Sequence, residues 1–329
     1  MPARWTNADR GGPIPRLAAM VDHDARAIGE LIRRGERSFS FEFFPPKDEA
    51  GEEQLWKAIS ELEPYRPTFV SVTYGAGGSS RDTTLRVTGR IARETSMIPM
   101  GHLTCVGHTR EELEVILQAF AEEGVRNVLA LRGDPSEGPR APWTPTEGGF
   151  THACELVSLA RAHGGFSIGV AAFPGGHPGA ESMDRDLEVL LEKQRCGAEF
   201  AITDMVFRAV DYAELVERAG AIGVEIPIVP GIMPILNLGQ VSRMAELSGR
   251  EIPAEVRARV EAHRDDPAAL RAEGIAMAAE LCKQLLDGGA PGLHFYTLNR
   301  SKATREIFAA LRITVRDRPV ESGGLSQAG

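Results

Sequence analysis

Hydrophobic and polar positions alternate along this chain in two rhythms. Short runs rich in β-branched and aromatic residues begin at 39 (FSFEFF), 69 (FVSVTYG), 98 (IPMGHLTC), 127 (NVLALRGD), 167 (SIGVAAFP), 200 (FAITDMVF), 227 (PIVPGIMP) and 292 (GLHFYTLN). Between them lie stretches such as EEQLWKAISELE, RDTTLRVTGRIARET, TREELEVILQAFAEEG, DRDLEVLLEKQRCG and DYAELVERAGAIG, in which apolar residues recur at helical spacing and several of which close on glycine. The first rhythm is that of strands and the second that of helices, with glycine where a helix C-terminus favours it. Strand and helix alternating over a whole chain predict a parallel sheet, and eight such units predict an α/β fold of the (β/α)8 TIM-barrel type rather than an open doubly wound sheet. The interval 237–291 predicts two or three extra helices before the last strand. Residues 1–35 read as an N-terminal tail and leading helix, 36–312 as the barrel and 313–329 as a flexible C-terminal tail.

Parity within the first strand raises a chemical question. Counting by two puts Phe39, Phe41 and Phe43 on one face and Ser40, Glu42 and Phe44 on the other, because side chains alternate across a strand. Glu42 therefore points away from the main apolar face. The plain reading is an edge strand with a solvated glutamate, since carboxylates are seldom buried without a task.

Composition narrows the partners. With 329 residues, 43% hydrophobic and 25% charged, the chain is ordinary globular material. A formal net charge of −9 and the lack of a basic patch argue against nucleic acid or an anionic membrane as partner and favour a small molecule. The four cysteines, Cys105, Cys154, Cys196 and Cys282, are widely spaced without a CxxC pair, which indicates neither a disulfide framework nor a structural zinc. No apolar stretch has the length of a signal peptide or membrane span, so a cytoplasmic protein is expected. No GxGxxG follows a strand and no Walker-type loop is present, which removes the usual support for dinucleotide-binding and P-loop folds.

Barrel enzymes carry their chemistry at the C-terminal ends of the strands, and here those ends are polar. They supply Glu42, Thr73-Tyr74-Gly75-Ala76-Gly77-Gly78, His102 and Thr104, Arg132-Gly133-Asp134, Phe173-Pro174-Gly175-Gly176-His177, Asp204, and Thr297-Leu298-Asn299-Arg300. Each has a plainer role taken alone: Asp134 as a helix cap, His102 as a satisfied core histidine, Arg300 as half of a surface ion pair. Glycine-rich loops are most often turns, yet after a parallel strand they also let a flat ring or phosphate approach the backbone. No pair of these residues has the local spacing of a zinc or di-metal site, so no metal is expected.

Taken together, the motifs FEFFPPK, FVSVTYGAGGSSRD, HLTC, NVLALRGDP, AAFPxxHP, AIT at 201–203, PGIMP and HFYTLNRS, in this order, make the chain resemble the catalytic domain of the methylenetetrahydrofolate reductase family over about residues 36–312. The resemblance implies a flavin-dependent oxidoreductase of one-carbon metabolism and methionine synthesis. It would bind FAD, take electrons from NADH or NADPH, and reduce 5,10-methylenetetrahydrofolate to 5-methyltetrahydrofolate, with a homo-oligomer expected. The folate's five-membered ring must open before hydride arrives, which requires a proton on the departing nitrogen. Glu42 matches the family's general acid; the resemblance implies a carboxyl desolvated by Phe, Pro and a flat cofactor, whose pKa rises toward neutrality. Asp134 matches an aspartate close to both flavin and folate, where its charge steadies a cation and disfavours the anionic reduced flavin. Thr73, Tyr74, Ala76, His102, Arg132, Gly133, Asp134, Ala153, Phe173, His177, Ala180, Asp186 and Lys193 fall on cofactor positions, with Lys193 as a phosphate partner. Asp134, Asp204, Gln240, Met244 and Arg300 fall on substrate positions, Arg300 suiting a carboxylate of the folate tail.

The pattern departs from the family at three of these. Asp204 replaces a glutamine whose amide touches pterin and nicotinamide; an ionised aspartate accepts hydrogen bonds but donates none. Met244 stands for a phenylalanine and Phe173 for a tyrosine, both still apolar. Alternatives therefore stay open: a reductase using another hydride donor (a deazaflavin, or nicotinamide without FAD), a folate- or flavin-binding barrel without this turnover, and an unrelated barrel lyase or hydrolase acting through Glu42 and Asp134.

Overall fold

The computed structural model describes residues 27–74, 81–135, 141–247, 249 and 251–313. Eight parallel strands, β1 (Ser38–Phe43), β2 (Phe69–Val72), β3 (Pro99–Thr104), β4 (Asn127–Leu131), β5 (Ser167–Ala172), β6 (Phe200–Met205), β7 (Ile228–Ile232) and β8 (Gly292–Tyr296), pair in chain order, and β8 returns to β1 to close the barrel. The predicted (β/α)8 architecture is therefore the observed one.

Helix α1 (Ile28–Arg33) precedes β1, and the ring outside the strands is built from α2 (Glu49–Leu62), α3 (Arg81–Glu94), α4 (Arg110–Glu122), α5 (Ala153–His163), α6 (Met183–Cys196) and α7 (Ala209–Ala221). The interval before β8 holds α8 (Leu238–Leu247), α9 (Ala254–Glu261) and α10 (Pro267–Asp287), and α11 (Lys302–Ala310) follows β8. Local chemistry sets many of the starts. Asp48, Ser182 and Asp266 accept from backbone N–H groups of the first turns of α2, α6 and α10, and Thr109 with Glu112 forms a reciprocal capping box on α4. Such caps satisfy donors that a helix leaves unpaired. No helix among the described residues is long and apolar enough to cross a membrane.

The strands' two faces pack into separate layers. Phe39 and Phe41 meet Phe308 of α11 at ring distances of 5.3 and 5.8 Å, so the odd-numbered face of β1 lies in the layer between barrel and helices. Burying each such ring contributes about 1.5–3 kcal/mol. Inside the barrel, Phe69, Met100, Leu129, Phe200, Ile202 and Val229 form a second cluster, closed below by Ile28 and Ile32 of α1. The start of α1 is held there by Asn127 Oδ1 and Ser167 Oγ, which accept from the Ile28 and Gly29 N–H groups at 3.1 and 3.0 Å. With the lower end plugged, the upper, C-terminal end is where polar side chains gather. A third cluster (Met205, Met233, Ile235, Val241, Val256 and others) joins α8–α10 to the ends of β6 and β7.

Candidate active site

Glu42 sits on the inward face of β1, opposite Ser71 of β2 and Tyr296 of β8 in the strand register. It is 6% exposed, so the solvated edge-strand reading does not hold. Its surroundings also differ from the aromatic pocket the resemblance implied. Two imidazoles converge on one carboxyl oxygen: His294 Nε2 lies 3.2 Å and His102 Nε2 3.5 Å from Oε2. Burial holds His102 down at about 4, against the pull of Glu42 in the other direction, so this imidazole is neutral near pH 7.

The backbone beneath the carboxylate is clamped from the β8–α11 turn. Thr297 donates to the Glu42 carbonyl through both Oγ1 (2.6 Å) and its backbone N–H (3.2 Å). Asn299 grips Phe44 like a neighbouring strand, with Oδ1 accepting from its N–H at 2.8 Å and Nδ2 donating to its carbonyl at 2.9 Å. Leu298 and Asn299 adopt φ of 51° and 57° to make this turn; left-handed backbone in non-glycine residues persists only where the surroundings enforce it.

Across the mouth, charges collect on β4, β5 and the elements after them. Arg132 stacks over Trp143 with its Cζ 4.8 Å from the ring centroid and stands 3.7 Å from Asp134. Burial raises the Asp134 pKa and Arg132 lowers it, while the side chain keeps 47% of its exposure. Gly133 has φ of +81°, and a Cβ there would meet Val106 Cγ1 at 2.4 Å, so the chain turns here in a space that only glycine fits. After β5, Phe173 and His177 pack edge to face at 4.8 Å, and burial with two nearby cations holds His177 down at about 4. Lys193, buried on α6, donates to the Ala171 carbonyl at 3.0 Å. Burial lowers its pKa while Asp186, itself raised by burial, works against that. Ala153 opens α5 and Ala180 donates its N–H to the His177 carbonyl at 2.9 Å.

The remaining predicted positions are more scattered. Thr73 and Tyr74 end β2; the Thr73 carbonyl accepts from Thr84 Oγ1 at 2.8 Å, and the Tyr74 hydroxyl meets His108 Nε2 at 2.9 Å. Asp204 lies where the β6–β7 register shifts, between Ile202 and Met205, and such irregularities re-aim a side chain. Thr203 bridges the gap: Gly231 N–H donates to its Oγ1 at 2.9 Å and Tyr296 Oη donates to its carbonyl at 2.7 Å. Arg300 is exposed in the turn after β8. Gln240 and Met244 lie on α8, and Ala76 lies outside the described residues. Sequence reasoning passed over Ser40, His294 and Tyr296. The signal was available, since His294 and Tyr296 share a parity in GLHFY that points both inward beside Glu42.

Two further facts bound the chemistry. Among the described residues, no group of three or more His, Cys, Asp or Glu is arranged to hold a metal ion. A cavity of about 360 Å³ lies against α7, α9 and α10, lined by Phe207, Met233, Val256, Arg259 and Met277 among others, and none of the predicted site residues borders it.

A closed parallel barrel, plugged below, with a buried carboxyl and two imidazoles inside it and cations toward its upper end, is the arrangement in which barrel proteins bind and transform small molecules. The comparisons narrow this class. A profile of the methylenetetrahydrofolate reductase family matches residues 27–312. Methylenetetrahydrofolate reductase (NADH) 1 of Arabidopsis thaliana is 39% identical over 86% of this chain, and 5,10-methylenetetrahydrofolate reductase of Pectobacterium carotovorum is 37% identical over 88%. The match covers 50% of the plant protein and 94% of the bacterial one, so the chain spans about half the length of its plant relatives. Among solved structures, a protein from Clostridium thermocellum that binds two copies of 5-methyl-5,6,7,8-tetrahydrofolic acid superposes with a TM-score of 0.59 at 12% identity, over 87% of this chain and 98% of that one; this likeness is one of fold. The chain belongs to the methylenetetrahydrofolate reductase family.

Proposed function

We propose that the chain reduces 5,10-methylenetetrahydrofolate to 5-methyltetrahydrofolate, with NADH or NADPH as electron donor and FAD as bound cofactor. The observation that carries this reading is the Glu42 carboxyl, buried inside the barrel with Oε2 set against two imidazoles. The residues of the opposite wall fit a large anionic cofactor. Arg132 and Lys193 supply cations, Gly133 lets the backbone come close, and Thr104 Oγ1 is a buried polar atom with no partner among the described residues. Arg132, Gly133, Ala153, Phe173, His177, Ala180, Asp186 and Lys193 would hold it, with Thr73, Tyr74 and His102 on the neighbouring strands. FAD, when bound, supplies the hydride relay between nicotinamide and folate.

The chain's own residues handle the proton and the orientation. Glu42 delivers a proton to the folate nitrogen that departs as the five-membered ring opens. Asp134, at the exposed end of β4, steadies the positive charge that ring opening leaves on the folate. Arg300, exposed beyond β8, is free to meet a carboxylate of the folate tail. Asp204, Gln240 and Met244 complete the folate side.

An absorption spectrum of the purified protein tests the reading. The expected result is a yellow protein that bleaches with NADH and recolours on adding methylenetetrahydrofolate. A colourless protein that neither takes up FAD nor turns over the folate would overturn it.

A further inference from the structure

We propose that Ser40 and His294 form a positioning pair that fixes the Glu42 carboxyl through Oε2 and reserves Oε1 for proton transfer to the substrate. The inference rests on the reading of Glu42 as proton donor.

His294 is fully buried, stacked on Phe69 at 5.8 Å and 17° and met edge-on by Tyr296 at 5.4 Å. A ring packed on both sides has one orientation. Its two nitrogens are both engaged: Nδ1 lies 2.8 Å from Ser40 Oγ, and Nε2 lies 3.2 Å from Glu42 Oε2. Ser40 is equally buried and faces His294 directly in the β1–β8 register. Its hydroxyl has a second acceptor in the Leu293 carbonyl, at 3.5 Å, where a hydrogen bond is weak. Donation to Nδ1 at the shorter distance is therefore preferred. A neutral imidazole has one donor and one acceptor nitrogen, so a serine donating to Nδ1 leaves the proton on Nε2, aimed at Oε2. The tautomer is set by the neighbour, as it is for many functional histidines.

The carboxyl is thereby divided. Oε2 faces His294 and His102, whereas no described residue donates to Oε1. Other groups facing Glu42 do not compete for that oxygen. Ser71, its register partner on β2, makes no hydrogen bond to a described residue through its buried Oγ, Tyr296 on β8 spends its hydroxyl on the Thr203 carbonyl and is held protonated by burial, and Asp204 on β6, like Glu42, acts on Tyr296 through its charge. A proton on Oε1 is the transferable one, and the Ser40–His294 pair holds it in a fixed direction.

Removing the Nε2–H donor has a readable consequence. A hydrogen bond donated to a carboxyl favours its ionised form, so losing it moves the protonation midpoint upward. The test compares wild type with His294→Phe, which keeps a ring without a donor, His294→Gln, which keeps a donor, and Ser40→Ala. Two readouts are used: the pH profile of folate reduction by pre-reduced enzyme, and an infrared pH titration of the Glu42 carboxyl band assigned by difference from Glu42→Gln. In His294→Phe both midpoints are expected to rise by about one to two pH units. His294→Gln is expected to return them toward wild type, and Ser40→Ala to shift them the same way by less.

Identical midpoints in wild type, His294→Phe and Ser40→Ala would overturn the inference. Should His294→Phe not fold, an unmoved midpoint in Ser40→Ala has the same force. A wild-type protein that reduces no folate would overturn the proposed function instead, and the infrared titration would still decide the role of the pair.

Discussion

The two sides of the barrel mouth are built on opposite principles. On the β8–β1 side the polar groups are spent on one another: Thr297 and Asn299 clamp the backbone at Glu42 and Phe44, and Ser40 holds His294, at 2.6–2.9 Å. On the β4–β6 side the groups are charged and loosely paired. Arg132 and Asp134 stand 3.7 Å apart, and burial displaces Asp134, His177, Asp186 and Lys193 from their ordinary pKa values. Pre-made bonds fix one group in one direction, which suits proton transfer. Charges held out of water without full compensation cost the fold stability and are kept where a ligand completes them. We read the first side as chemistry and the second as cofactor wall.

The largest effect separates the two directly. Glu42→Gln is expected to lower the rate of folate reduction by about 10²- to 10⁴-fold while oxidation of NADH by the same protein continues, as stopped-flow measurement of the two half-reactions would show. Lys193→Met is expected to do the reverse. It should weaken FAD retention by roughly 10- to 100-fold, the worth of a charge-assisted hydrogen bond, and leave the folate step intact in whatever fraction stays loaded. Equilibrium titration with FAD measures it. If Lys193→Met stops folate chemistry with the cofactor bound while Glu42→Gln spares it, the assignment of the two sides is inverted.

The contrast also explains what could be read from the sequence. The eight strands, the extra helices before β8 and the separation of Glu42 from the Phe39–Phe41–Phe43 face follow from periodicity and parity, which are local; that the Glu42 face is the one turned into the barrel does not. The polar residues of the β4–β6 side could be placed at the strand ends because they cluster in short motifs, RGD after β4 and FPGGH after β5. The locking of Glu42 could not be read this way, because it is made across the barrel seam. Ser40 meets His294 and Phe44 meets Asn299 only once β8 has paired with β1, some 254 and 255 residues apart in sequence. Nor does sequence show that Thr203 bridges an irregular β6–β7 register at Asp204, or that Leu298 and Asn299 take left-handed backbone. Those depend on closure of the whole sheet.

Asp204, on the last strand of the second side, tests whether that edge matters to turnover. Its carboxylate offers acceptors where an amide would also donate. Asp204→Gln is expected to raise the rate of NADH oxidation or of folate reduction by about two- to tenfold, the range of one neutral hydrogen bond. Unchanged rates in both half-reactions would show the position to be idle.

The smallest effect concerns stability, and it probes one imidazole beside Glu42 and one on the β4–β6 side. His102 and His177 are both held at about 4, from an ordinary value of 6.5, with burial as the larger cause. As pH falls through 6.5 the unfolded chain takes up a proton at each, whereas the folded chain resists until about 4. The unfolded state therefore holds more protons across this window, and stability falls as the solution is acidified. Asp134, Asp186 and Glu199 act in the opposite sense: burial raises them, so the folded chain takes their protons first and their contribution grows toward acid pH. The descent just below 6.5 belongs mainly to the imidazoles, and it should appear as a falling melting temperature in scans buffered stepwise from pH 7 to 4. Because His102 is buried and His177 keeps partial exposure, solvent screening diminishes the second share. His102→Asn should flatten the descent more than His177→Asn; equal flattening would mean that the two imidazoles are equally closed to water.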